Sequence, residues 1–325
     1  MKGKQKLGLW SAIAFLSLVL AISFSPVNLV RSQQTPMRFA DWCLNKANLP
    51  LATRRTVDAL LQQAGTTDCN LANQKLSAHA SLTLNKNQIT DLRPLSNLTN
   101  LTRLDLNTNQ ISNIQPLSNL TNLTDLNLAS NQIADTRPLS NLTKLTNLAL
   151  INNNQITDIR PLSNLTNLTS LTLGNNKITD LRPLSNLTNL AVLWLSNNQI
   201  ADIRFLSNLT KLTRLGLINN QITDLRPLSN LTNLTELSLS SNQIADIKPL
   251  SSLTKLVALL LDNNKIADIK PLSNLTKITA LNLGNNQITD IKPLSNLTNL
   301  AVVVLSGNPL TDKTCPVRPE SICKF

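Results

Sequence analysis

Residues 165–186 read LTNLTSLTLGNNKITDLRPLSN, and this stretch decides the fold. Around Leu171 and Leu173 apolar and polar residues alternate, as in a short strand with one face buried and the other in solvent. After Asn176 and Ile178 the chain turns. Asp180-Leu181-Arg182-Pro183-Leu184 then puts a proline where the first turn of a helix accepts one. Too few residues remain before Leu187 for more than a short 3-10 or helical turn. A unit this small cannot bury Leu171, Leu173, Ile178, Leu181, Leu184 and Leu187 by itself, so it needs neighbours of the same kind.

The neighbours follow on both sides. The frame L-T-x-L-x-x-L-x-L-x-x-N-x-I-x-D-I-x-P-L-S-N starts at Leu76, Leu98, Leu120, Leu142, Leu165, Leu187, Leu209, Leu231, Leu253 and Leu275, a period of 22 residues, and a partial eleventh unit starts at Leu297. Stacked coils close a shared core. The expected fold is therefore an α/β right-handed solenoid, with a curved parallel sheet inside and short 3-10 or helical turns outside. Eleven strands at about 4.8 Å make an inner sheet on the order of 50 Å long. The expected organisation is a signal peptide over 1–32, a helical N-terminal cap over 33–75, repeats over 76–311 and a C-terminal cap over 312–325.

A column of asparagines, Asn87, Asn109, Asn131, Asn176, Asn198, Asn220, Asn242, Asn264, Asn286 and Asn308, recurs where each strand turns inward. A buried amide there can satisfy backbone groups that the turn leaves unpaired, a structural role rather than a ligand-binding one. Two departures break the frame. The fourth unit carries one extra residue within Ala149–Ile156, read as a bulge after its strand, and in the sixth unit Phe205 replaces the proline.

This frame is identified as a leucine-rich repeat. Its length and its D-I-x-P-L-x-x-L-T segment resemble the bacterial internalin type and the similar repeats of a protein phosphatase regulatory subunit. The resemblance runs from Leu76 to about Leu310 and implies binding of another macromolecule through the concave sheet. No immunoglobulin-like extension or LPxTG-type sorting signal follows the repeats, so wall-anchored invasion proteins match poorly over their full length.

Composition narrows the chemistry. The chain has 325 residues, of which 42% are hydrophobic, yet only eight are aromatic and none is tyrosine, so the core must be aliphatic. One histidine and four cysteines leave little material for acid/base, nucleophilic or metal catalysis. His79 takes a repeat-leucine position and reads as a packing residue. The sequence thus points to a non-enzyme with no cofactor and no bound metal. Nine aspartates from Asp91 to Asp290 each precede an Arg or Lys by two residues, so the two columns cancel and read as a solvated outer face. No basic cluster interleaved with aromatics suggests nucleic acid. The N-x-T matches are products of the frame.

Lys2, Lys4 and Lys6 precede an apolar run from Leu7 to Phe24, the form of a secretory leader, with cleavage expected before Gln33. An uncleaved anchor is the rival reading and the only expected link to a membrane. Either way the repeats face an export compartment: secreted, periplasmic or at the cell surface. Removing residues 1–32 takes away three Lys and Arg31, so the net charge falls from +12 to +8. In the cap, Thr35-Pro36 is read as a helix start leading into Phe39 and Trp42, and a second helix is expected from about Thr53 to Ala64, stopped by Gly65. Four cysteines allow three pairings, but a solenoid holds its ends tens of ångströms apart and a disulfide needs its Cα atoms within about 7 Å. Cys43 with Cys69 and Cys315 with Cys323 remain.

Side chains beside the paired leucines face outward on the inner sheet. Most are small and polar. Trp194, in the sixth strand, is the exception, and Thr172 and Gly216 beside it leave room around the ring. Val192, Ile218 and Ile151 add apolar area, and Arg214 and Glu236 add charge. A central aromatic in a polar rim is the anatomy of a binding hot spot, although a single tolerated surface tryptophan fits the same residues. The sequence reading is an exported protein that binds a protein or peptide on its concave face. A structural envelope or matrix component without a ligand is the alternative, and a lectin ranks third for want of further aromatics.

Overall fold

The structure is a computed structural model, and it describes residues 37–325. The leader, its cleavage site and the Thr35-Pro36 helix start lie outside these residues. The described chain runs through three helices, α1 (Phe39–Leu44), α2 (Leu51–Ala64) and α3 (Cys69–Ala78), and then into one sheet. Its strands are β1 (Ser81–Thr83), β2 (Arg103–Asp105), β3 (Asp125–Asn127), β4 (Asn147–Ala149), β5 (Ser170–Thr172), β6 (Val192–Trp194), β7 (Arg214–Gly216), β8 (Glu236–Ser238), β9 (Ala258–Leu260), β10 (Ala280–Asn282), β11 (Val302–Val304) and β12 (Cys323–Lys324). All twelve lie parallel in sequence order. No described helix is long and apolar enough to cross a membrane.

The pairing is in register throughout: Leu171 faces Leu148 and Leu193, and Trp194 faces Thr172 and Gly216. Each strand from β1 to β10 therefore buries its central leucine, and β11 its Val303, with the two flanking residues on the inner face. On the outer side, 3-10 turns such as Arg182–Leu184 carry the expected proline. Leu171, Leu173, Ile178, Leu181, Leu184 and Leu187 are all fully buried. Burying a leucine side chain stabilises by roughly 1.5–3 kcal/mol. A column of such residues from every coil makes one continuous core.

The asparagine column forms a hydrogen-bonded ladder. Asn198 Nδ2 donates to Leu195 O of its own coil (2.9 Å) and to Leu173 O of the coil before (3.1 Å). Its Oδ1 accepts the Ile178 N–H at 2.9 Å. One amide thus joins two coils. The fourth coil has its ladder residue too, in Asn153, which is 1% exposed and bonds Leu128 O, Leu150 O and the Ile133 N–H. The extra residue is Asn154, in the left-handed region with φ 60°, and its N–H donates to Asn175 O.

Each aspartate of the outer column accepts the backbone N–H two residues on, as Asp180 Oδ1 does from Arg182 (2.9 Å), which caps the 3-10 turn. Arginine side chains close the same pair, Arg182 at 2.8 Å from Asp180. In the six arginine coils charge neutralisation therefore happens within the coil. Phe205 is half-buried against the core, with the Arg204 guanidinium 5.8 Å from its ring centre.

Both ends depart from the sequence expectation. Helix α1 begins at Phe39 with Arg38 as N-cap, where the Arg38 N–H donates to Asp41 Oδ2 (2.9 Å). Helix α2 begins two residues earlier than expected and ends at Gly65, φ 62°. Helix α3 was not anticipated: Asp68 caps it by accepting from the Asn70 and Leu71 N–H groups. It absorbs Leu76–Ala78, which the frame assigns to the first coil. With no coil before it to stack on, this segment buries Leu76 in the cap, and His79 ends the helix half-buried. Cys43 and Cys69 join these helices, Cα atoms 5.5 Å apart. At the other end the tail returns to add β12, where the Leu305 N–H donates to Lys324 O at 2.7 Å. The Cys315–Cys323 disulfide holds it there.

Candidate partner-binding face

The inner face of the sheet divides into three zones. Along β1–β5 lies a groove of about 380 Å³, with Arg103, Asp105, Asp125, Asn127 and Asn147 around an apolar floor that includes Leu104, Leu126 and Leu148. Its carboxylates are engaged: Asp125 accepts from Asn147 Nδ2 (2.6 Å) and Thr124 Oγ (2.7 Å), and Asp105 accepts the Asn107 N–H (3.0 Å). The Thr172 hydroxyl is buried without a hydrogen-bond partner. Sequence reasoning missed this groove, because alternation tells which side chains face inward but not where they leave a hollow between them.

The second zone is centred on β6 and β7. Trp194 is half-buried, and its indole lies against Gly216. A Cβ on Gly216 would stand 2.0 Å from Cε3 and 2.4 Å from Cζ3 of the ring. The room that Gly216 leaves is therefore occupied by the Cε3–Cζ3 edge of the indole itself. Ile151 repeats the device one zone earlier, with Cδ1 only 3.4 Å from the Cβ position of the buried Gly174. Val192 and Ile218 are half-buried on the same face, while Arg214 is exposed and Glu236 half-buried. Arg214 and Glu236 face one another in register, yet neither forms an ion pair within the described residues.

The third zone, on β9–β11, is aliphatic. Ala258, Leu260, Ala280, Val302 and Val304 present half-buried side chains inward. These residues stand in the outward-facing columns of the sequence, but each is unremarkable alone. Only the register that aligns them makes a patch. Asp262 borders it, accepting from Ser240 Oγ, Asn282 Nδ2 (2.9 Å) and Asn263 Nδ2 (2.7 Å).

All four cysteines are in disulfides, and no group of three or more His, Cys, Asp or Glu among the described residues is placed to hold a metal ion. The face offers shape, hydrogen bonds and apolar contact.

Comparison with known proteins agrees with this architecture. The family described as Leucine Rich repeats (2 copies) matches residues 81–119, 121–164, 150–186, 166–208, 188–230, 232–274 and 276–315. The chain is similar to the crystal structure of an internalin from Listeria monocytogenes, at 36% identity and a TM-score of 0.66, covering 79% of this chain and 90% of that one. It is also similar to the leucine-rich-repeat ectodomain of the Arabidopsis thaliana receptor kinase GASSHO1/SCHENGEN3, solved in complex with CASPARIAN STRIP INTEGRITY FACTOR 2, at 25% identity and a TM-score of 0.61. That match covers 70% of this chain and 32% of the receptor. A search of curated proteins finds no match. Proteins of this fold generally act as scaffolds for protein interaction, including receptor complexes with peptides. On the repeat frame, the register of the sheet and these matches together, the chain belongs to the leucine-rich repeat family and is internalin-like within it.

Proposed function

We propose that this chain is an exported, non-enzymatic protein that binds a protein or peptide partner on the concave face of its sheet. Trp194, Val192, Arg214, Ile218, Glu236 and Ile151 lie at the centre of the contact. The observation that carries the reading is the indole of Trp194, held against Gly216 in the middle of the inner face and left half-exposed. An aromatic fixed before binding loses little side-chain entropy on contact, which is the economy of a hot spot. The basic, apolar leader and the two disulfides support export. The receptor ectodomain solved with its ligand supports a protein or peptide as the partner class.

The test is position-specific photo-crosslinking in the native export compartment. A photoreactive residue in place of Trp194 should capture a partner, and one in place of Phe205, on the outer turn, should not. Equal capture from the two positions, or none from position 194, removes the concave face from consideration and leaves a spacer without a dedicated ligand.

A further inference from the structure

The concave-face reading stops at a partner class, and the inference here rests on that reading. Three observations give the partner a chemistry. The first is charge. Without residues 1–32 the chain carries 26 basic and 18 acidic residues. The outward columns of the twelve inner strands hold Asp105, Asp125, Glu236 and Asp262 against Arg103, Arg214 and, at the far edge, Lys324, so a strongly basic protein carries no basic excess on its inner face. At physiological ionic strength charges act over about 8 Å, so a bound segment feels the inner face rather than the distant outer bases.

The second observation is a contrast among aromatics. Trp42 carries the Arg93 guanidinium 5.4 Å from its ring centre, and Phe205 carries that of Arg204 at 5.8 Å. No cation of the described chain lies over Trp194, although Arg214 stands on the adjacent strand. The third is geometry. The Cε3–Cζ3 edge of the indole is seated at Gly216, and the ring stays half-exposed on the inner face. Two strands on and two residues back along the strand, about 12 Å away on the diagonal, stands Glu236 with no ion-pair partner among the described residues.

We propose that the concave face takes an extended, cationic segment of a partner polypeptide, with an arginine guanidinium against Trp194 and a second basic side chain, four residues along, paired with Glu236. A guanidinium suits both contacts, being planar for the ring and charged for the carboxylate. Four extended residues span about 13 Å, close to the separation of the two sites, and return the side chain to the same face. Gly216 is the positioning residue: it touches no partner but sets the plane of the ring.

The test is calorimetric titration of the purified protein with end-blocked seven-residue peptides of leucine carrying arginine at the second and sixth positions, or glutamate or glutamine at the same positions. A β-linked glucose hexasaccharide serves as a fourth probe. The arginine peptide should bind at least tenfold more tightly than the other three. Trp194→Ala and Gly216→Ala should each weaken it tenfold or more, Glu236→Gln a few-fold, and Trp194→Phe less than Trp194→Ala. An unchanged unfolding midpoint for Trp194→Ala keeps the comparison free of folding defects should Gly216→Ala prove unstable. Trp194-dependent binding of the glutamate or glutamine peptide, or of the sugar, at equal strength overturns the cationic partner and leaves the concave site standing. Arginine-peptide binding that ignores Trp194→Ala overturns the site as well. No binding of any probe overturns this inference, while crosslinking at position 194 still decides the concave reading independently.

Discussion

Replacing Asn198 by alanine isolates what the asparagine ladder contributes. The side chain makes three well-formed bonds: it accepts the Ile178 N–H and donates to Leu173 O and Leu195 O. These losses are unequal. Leu173 O keeps a donor in Asn176 Nδ2 (3.0 Å), and Leu195 O keeps one in Asn220 Nδ2 (3.1 Å). The Ile178 N–H has no second acceptor, so the substitution orphans one buried donor, at about 1–3 kcal/mol. With two weakened carbonyls and a small void, the total is roughly 2–4 kcal/mol. Asn87 is the internal control. It is half-buried in the first coil and its Nδ2 donates only to Asn85 O, so Asn87→Ala should cost about 1 kcal/mol or less. Urea unfolding followed by far-UV circular dichroism reads both. Equal midpoints for Asn198→Ala and Asn87→Ala would show that the ladder is decoration on a stack held by leucine alone.

Three further outcomes follow from the packing and the ends. Leu195→Ala, at a fully buried position, should lower stability by roughly 2–5 kcal/mol, whereas Ser238→Ala on the inner face should change the urea midpoint little. Cys315→Ser with Cys323→Ser removes a short loop constraint worth about 2.6 kcal/mol in the chain-entropy description, and hydrogen exchange should show the loss at β11 and β12 while β6 stays protected. Burial raises the Asp91 pKa, but hydrogen bonds from Arg93, the Thr53 hydroxyl and the Arg93 N–H outweigh it and hold the carboxyl below its ordinary value. A depressed folded pKa means that this contribution is present above the unfolded value near 3.9 and is lost as pH falls through the folded one. Acid should therefore loosen the helical cap, read by Trp42 emission, and Asp91→Asn should flatten that part of the pH dependence.

The interior was legible because one frame repeats with period 22 and its apolar positions have nowhere else to go. Leu171, Ile178 and Leu184 are where the alternation and the turn place them. The ends were less legible for the same reason. Leu76 satisfies the frame and so concealed α3, and Cys323-Lys324 satisfies no strand pattern, since β12 is recruited by the open edge of β11 rather than by its own composition. The missing ladder residue was hidden by counting: the extra residue of the fourth coil follows Asn153, and a column read at fixed spacing does not show which asparagine turns inward. At the face, sequence marked Trp194 as central but read Gly216 as open space. Which way a large side chain leans depends on the neighbouring backbone, and that is a property of the stack.

The uniform register has a consequence for how long the inner face can be. Each coil from β2 to β10 hands the next the same set of backbone and amide bonds that it received, so a whole 22-residue coil can be inserted or removed without rewiring the remainder. The helices and the returning tail are the only parts that know where the stack stops. Each added coil lengthens the surface by one strand spacing, about 4.8 Å, or somewhat more than one residue of an extended chain lying along it. Coil number is then a ruler for the partner, adjustable in whole units by duplication of a single stretch of sequence.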